Sequence, residues 1–498
     1  MILMMCVQPL YFNEHRYRGL TGHKYNFFFA CMCVVLCAVV LVLIAKLIGG
    51  HKLIALKSLT VADWAVLGFA LVTLISAVLS PYKNVVDVWN GLPERHDGVY
   101  TQLFYVLIFL VIAHWYKPRT RDFGIFGISA ICIGLIGIFQ FYGMDFLKLW
   151  PNEAGSEYWM PNFYHIWFRS TLGNINMLAT YVCMAILLCG FLFVKMDSSK
   201  WRYVWLTGSA SCFWLMIIGG SESGMVGVLV TVVLAIPFII QKRKHIGRFL
   251  ILGASWLGVY TLQKLFYDVR ALEAETAIGL YAVILIILLA GGLALTLLKK
   301  KSSDAGESEK PVNRKLGVVL MVAVIAAGFA GIEVLGKQLG ETGLAKRNPI
   351  SEAREILHGR IEDSFGSHRV YIWRNALEAF PSDNPAIGSG PDTFWQAFPN
   401  KVEAIELYVQ VFDKAHNEYL QILVCQGILG LLCLLVFIGY LLIKAVPKAF
   451  KEPLLMAVLA GFMGYCVQAF FNISLPIASQ MLWVMAGILA STGLKRSD

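Results

Sequence analysis

The chain has 498 residues, 58% of them hydrophobic and 15% charged, with a net charge of +10, and its mean hydropathy is +0.66. Those values exclude an ordinary soluble domain. They do not point to nucleic acid either, because Lys and Arg sit in short clusters between apolar runs, where cytoplasmic loops carry them.

Taken in chain order, apolar runs long enough to cross about 30 Å of hydrocarbon as a helix fall at 27–45, 61–80, 99–116, 123–142, 172–194, 203–220, 222–240, 248–264, 278–298, 316–336, 418–443, 454–471 and 474–493. The expected fold class is therefore all-α, a polytopic transmembrane helix bundle of about 12–13 spans. The 220/222 and 471/474 junctions are the tightest. The stretch "ILMMCVQPLYF" (2–12) reads as the tail of a further helix, which would mean a chain that begins late. Arg16, Arg18 and Lys24 favour the cytoplasm, whereas the count of spans puts the N-terminus outside. The first long apolar run is too long for a signal peptide and lacks a small-residue cleavage site.

The loops alternate in charge. "KPRTR" (117–121), "KMDSSKWR" (195–202), "QKRKHIGR" (241–248), the linker 299–315, "KAVPKAFK" (444–451) and the terminal "KRSD" are basic or flank basic residues. All fall on one side, which the positive-inside rule makes cytoplasmic. The other side carries 81–98, 143–171, 265–277 and the longest loop, 337–417. The expected organisation is thus an N-terminal set of helices over 1–336, an extracytoplasmic loop domain over 337–417, and C-terminal helices over 418–498. Within the loop, Ile350, Leu357, Ile361 and Phe365 recur at helical spacing, as do Val370, Trp373, Leu377 and Phe380. "PSDNPAIGSGPDTF" (381–394) breaks the pattern with Pro and Gly. The expected location is the cytoplasmic membrane, with many passes and an active face outside.

No long repeat is visible. Ten of the eleven cysteines fall in apolar runs and Cys6 lies near the N-terminus, so neither a disulfide framework nor a metal-type CxxC pair is expected. There is no Walker A sequence, and "GSGPDT" is not a dinucleotide fingerprint.

Polar residues at the outer helix mouths are the candidates for chemistry. Asp413 is a plausible N-cap, which would place His416 in the first turn of the following helix. A helix N-terminus favours an anion and disfavours an imidazolium, so this position suits both a phosphate and a neutral histidine able to take a proton. The plainer alternative is an interfacial cap. Gly427 and Gly430 are spaced for close helix contact. Arg369 would share a face with Ile372, Trp373 and Ala376 and could clamp a pyrophosphate through two parallel hydrogen bonds; it is equally an ordinary surface cation, and Arg374, Arg360 and His368 compete for the role. The aromatic stretch 150–170 is either an interfacial belt or a platform for sugar rings, with Arg169 at its end. Glu222, between serines at a tight turn, and Arg95, in "LPERHDG", are functional candidates that solvation alone could also explain. Chemistry on the outer side has no access to cytosolic ATP, so a donor must arrive already activated, as a lipid-linked diphosphate does.

Together these pieces resemble the O-antigen ligase and polymerase superfamily of membrane glycosyltransferases. His416, Asn417, Gly427 and Gly430 are similar to that family's HN-x9-GxxG pattern, and Arg369 with Trp373 to its R-x-x-x-W. "PAIGSGPDTF" (385–394), "RSTLGNINMLATY" (169–181) and "VWNGLPERHDG" (88–98) are like its G-x-G stretch, its GTFGNPN-type helix opening and an R-x-x-G loop. The likeness runs from about 60 to 490. "SESG" departs from the family's Ser-Arg-Gly, with Glu222 where an arginine helps hold the donor. The resemblance implies transfer of a glycan from an undecaprenyl diphosphate carrier to an acceptor hydroxyl on a glycan, lipid or protein. By the same resemblance His416 would be the base and Arg369 the stabiliser of the departing diphosphate. Arg169, Trp373, Asn417, Glu222 and Arg95 would line the substrate site, among membrane lipids, with no metal or other cofactor. The competing readings are a polymerase of the same superfamily, a secondary transporter, and a non-catalytic glycolipid-binding protein. A transporter predicts repeated halves and mid-membrane ionisable residues, neither of which is clear.

Overall fold

The computed structural model describes residues 1–50, 58–150, 168–197, 199–267, 275–297, 314–341, 348–380, 384–399, 401–408 and 411–493. Among them, nine helices are long and apolar enough to cross a membrane, and three shorter apolar ones run Val99–Trp115, Glu222–Leu234 and Gln480–Ser491. With Arg202–Gly219, a helix stands at every position where a span is expected. The protein is an all-α polytopic bundle; its only strands among the described residues are the two-residue pair Phe168–Arg169 and Gly173–Asn174.

Local chemistry sets the helix ends. Thr60 and Asp63 form a reciprocal capping box at the start of Val61–Leu79. Asn174 caps Ile175–Lys195, and Pro349 and Pro453 open their helices in the first turn, where a missing N–H costs nothing. The expected span 222–240 is divided, because Ala235 ends one helix and Pro237 opens the short helix Ile236–Ile239.

Ile175–Lys195 is the centre of the bundle, buried from Met177 to Lys195 between Arg202–Gly219 and Pro453–Gln468. Glu418–Ala449 packs on Val61–Leu79, and Gln480–Gly493 on Val99–Trp115. Arg243–Tyr267 is mostly half-buried, while Glu275–Leu297 and Arg314–Glu341 lie at the periphery, with many exposed apolar side chains such as Ile286, Ile287, Val319 and Val322. Such faces suit hydrocarbon, which supplies no water to compete for the helical hydrogen bonds.

Residues 3–10 are helical and insert among the other helices, with Met4, Met5, Cys6 and Gln8 buried. Lys24 is also buried there. Its Nζ donates to the carbonyls of Gln8, Pro9 and Tyr11 at 3.0, 3.0 and 2.7 Å. It therefore satisfies the end of that helix and is not a free topological signal.

Of the basic loops, 195–202, 241–248 and 444–451 come together at one end, while residues 299–313 of the linker and the terminal 494–498 lie outside the described residues. Asp197 pairs with Lys242, Lys244 and Arg248, while Arg314 lies over the Phe450 ring, which stacks on Phe238. Since Glu418–Ala449 ends there, the segment before Glu418 lies at the opposite end, with loops 81–98 and 384–399.

Candidate functional site

The segment before Glu418 is pinned residue by residue. Asn417, not Asp413, is the N-cap: its side-chain oxygen accepts from the backbone N–H of Tyr419 and Leu420. His416 therefore sits just before the helix and not in its first turn, in a left-handed backbone conformation with φ +49°. Asp413 is instead the partner of Arg95, whose Nε donates to it at 2.6 Å. Ala415 is held on both sides, its N–H by Gln421 Oε1 at 2.9 Å and its carbonyl by Trp373 Nε1 at 3.1 Å.

Trp373 brings Arg369 with it. The helix Phe365–Ala379 begins with three left-handed residues, Gly366, Ser367 and His368. Glu352 accepts from the Gly366 N–H at 2.9 Å, and Arg369 Nη1 donates to the Gly366 carbonyl at 2.7 Å. Arg369 Nε is buried with no hydrogen-bond partner among the described residues, so it can still donate to a ligand. The competing arginines are committed elsewhere: Arg374 pairs with Asp363 at 2.6 Å and Arg360 with Glu355.

Electrostatics tie the group together. Burial, then the positive charge of Arg369, push His416 down to about 4; Arg95 adds to the fall and Asp413 opposes it. None of the described residues hydrogen-bonds its ring. Arg369 is lowered by burial and raised by Glu222 and Glu352, yet a guanidinium remains charged at any physiological pH. Glu222 is exposed at the first position of Glu222–Leu234, after Gly220 at φ +66°. Five sequence candidates besides His416 thus converge on it: Arg369, Trp373, Asn417, Arg95 and, through Arg369, Glu222.

Arg169 belongs to a different neighbourhood. Its guanidinium lies 5.0 Å over the Phe141 ring and its charge acts on Tyr17. Of the aromatic stretch 150–170, residues 151–167 lie outside the described residues.

Gly427 does not serve helix packing as expected. At φ +69°, ψ −171° it breaks Glu418–Ala449, and the freed groups are taken up by the loop 385–390. Ser389 and Gly390 N–H donate to the carbonyls of Val424 and Cys425 at 3.0 and 2.9 Å, while Ile428 and Leu429 N–H donate to Pro385 and Ala386 at 2.9 and 3.0 Å. Ser76 Oγ donates to Cys425 O and Ser80 Oγ to Ser389 O. A Cβ at Gly427 would lie 2.4 Å from the Ala386 carbonyl carbon, and one at Gly388 2.5 Å from that of Cys425. A helix broken within a membrane protein is tolerated only where the freed backbone is satisfied in this way.

Sequence reasoning missed a buried ion cluster beside His416. Lys414 Nζ lies 2.8 Å from Asp97 Oδ2 and 2.7 Å from Asp392 Oδ1. Burial pushes Asp97 up to about 6 against the pull of Lys414, and the two carboxylates hold Lys414 above its usual value. Beneath it is a cavity of about 20 Å³, lined among others by Asp97, Tyr105, Asp392, Glu418 and Gln421, with room for one water. The only signal in the sequence is that both aspartates sit in glycine-containing loops already singled out, "RHDG" and "GSGPD".

Residues 274–435 match the family model described as O-antigen ligase. That stretch, about a third of the chain, is similar to the O-antigen ligase family. It contains Arg369, Trp373, His416, Asn417, Gly427 and Gly430, and it supports placing the chain in the O-antigen ligase superfamily. Comparison with curated proteins gives no match. The apolar helices support a multi-pass membrane protein, and the match supports a ligase- or polymerase-type function in general, since members of that family are glycosyltransferase-like enzymes.

Proposed function

We propose that this protein transfers a glycan from an undecaprenyl diphosphate carrier to an acceptor hydroxyl at the extracytoplasmic face of the cytoplasmic membrane. The observation that carries the reading is the half-buried Arg369, whose buried Nε has no partner among the described residues, acting on His416, whose ring has none among them either. His416 takes the proton of the acceptor hydroxyl, whose oxygen attacks the anomeric carbon. The bond from that carbon to the diphosphate oxygen breaks, and its electron pair leaves with the diphosphate. Arg369 stabilises that growing charge from a position already set in the ground state, which is where electrostatic catalysis is most effective. Asn417 and Trp373 hold the base and the clamp in register, and Arg95 lines the mouth. Glu222 limits the positive charge around Arg369, so donor affinity is tempered there. Arg169, at the Phe141 end, would meet a donor or acceptor part extended away from the base.

The test is deletion of the gene in its host, with wild-type and His416→Ala complementation and analysis of lipid-linked precursors. Accumulation of full-length lipid-linked chains, relieved by wild type alone, supports a ligase; accumulation of single units identifies a polymerase. Normal glycans with His416→Ala as the sole copy would sink the base assignment.

A further inference from the structure

We propose that Lys414, clamped between Asp97 and Asp392, is a positioning residue that sets His416 for proton transfer. The proposal rests on the reading of His416 as the base.

The clamp joins three stretches far apart in the chain. Lys414 is two residues from His416, and its side chain is 1% exposed, against 6% and 0% for Asp97 and Asp392. Each acid is itself anchored. Asp97 Oδ1 accepts from Gln102 Nε2 at 2.6 Å, and Asp392 Oδ2 accepts from the Leu92 N–H at 2.7 Å and the Asp97 N–H at 3.3 Å. Space for that second carboxylate exists only because Gly91 has no side chain: a Cβ there would lie 2.5 Å from Asp392 Oδ2.

Stability alone is a poor account of this arrangement. A fully buried ion cluster loses as much in desolvation as it gains in attraction, and apolar side chains of like volume commonly do as well. Geometry is a better account. The three stretches carry non-glycine residues in left-handed conformations, Glu94, His96, Asp392 and His416 at φ +63°, +53°, +59° and +49°. Such conformations persist only where the surroundings over-determine them. Around His416 they do: Lys414 is held by the clamp, Ala415 by Gln421 and Trp373, and Asn417 by its own cap. Among the described residues, what is left unengaged is the imidazole.

The experiment uses the full chain in lipid nanodiscs, with the polyprenyl-diphosphate-linked glycan extracted from the host as donor. Lys414→Met should lower kcat about 100-fold, the usual effect of a displacement near 1 Å at a reacting group, with donor KM within about threefold. It should also lower Tm, because two buried carboxylates lose their partner. The triple variant Lys414→Met, Asp97→Asn, Asp392→Asn carries no buried unpaired charge; it should recover Tm but not kcat. Recovery of both, or wild-type kcat in Lys414→Met, overturns the proposal. Added to His416→Ala, Lys414→Met should cause no further loss; a second full loss also overturns it. Wild-type turnover in His416→Ala would end the base assignment and this proposal with it, whereas an impaired His416→Ala beside a fully active triple variant would end the clamp alone.

Discussion

His416 is set apart from an ordinary interfacial histidine by its surroundings. Burial and the charge of Arg369 hold it at about 4, so the neutral, proton-accepting form exists above that value and is lost as pH falls through it. The acid limb of kcat/KM, which reports the free enzyme, should therefore lie near pH 4 and not near the ordinary histidine value of about 6.5. The limb of kcat should lie higher, because a bound diphosphate favours the imidazolium. Replacing Arg95 by Gln removes a repelling cation and frees Asp413, so both effects move the limb upward; a pH–rate series of that variant checks the sign. A limb that stays in place would mean that Arg95 and Asp413 do not act on the base. For the clamp, Arg369→Ala should cut kcat/KM by roughly 10²–10³-fold, the range for loss of one preorganised charge donor. Arg369→Lys should recover part of this, since it keeps the charge and loses the planar fork. Equal activity in wild type and both variants would remove Arg369 from the chemistry.

Among the elements, Glu418–Ala449 and the loop 385–390 behave as one unit. The helix is open at Gly427, the loop fills the opening, and both glycines are needed where backbones touch. Gly427→Ala should destabilise the protein by about 1–3 kcal/mol from its backbone conformation alone, with the collision against Ala386 in addition. Gly439→Ala, on the same helix with nothing within 4 Å of the added atom, should be neutral or stabilising by about 1 kcal/mol. Thermal melting of the two variants in one detergent separates them, and equal melting points would refute the coupling of loop and helix.

At the scale of the molecule, charge separates the two ends. Asp197, Lys242, Lys244 and Arg248 gather at one end of Glu418–Ala449, and His416, Arg369 and Arg95 at the other. If the basic end is cytoplasmic, the site faces outward. In a background with the native cysteines replaced, Glu403→Cys on intact cells should react with a membrane-impermeant maleimide, and Lys200→Cys should react only after lysis. The reverse pattern would invert the topology and exclude a donor presented from outside.

Each scale was legible to a different degree. The helices were readable because a span needs only about 20 apolar residues in a row, a local property. Arg369, Trp373, His416 and Asn417 were readable because their spacing forms short motifs in one stretch of chain. The cap was misassigned to Asp413, since one acidic residue can serve either a helix start or a distant arginine, and only folding brought Arg95 to it. Gly427 suggested packing because a glycine in an apolar run gives no sign of its φ. The cluster of Asp97, Asp392 and Lys414 was out of reach for a simpler reason: the first and last are 317 residues apart. Composition and local pattern determined what kind of molecule this is and which residues stand at its helix mouths. Which charges meet, which backbone breaks, and which groups surround His416 were decided by long-range contacts, which exist only once the helices have packed.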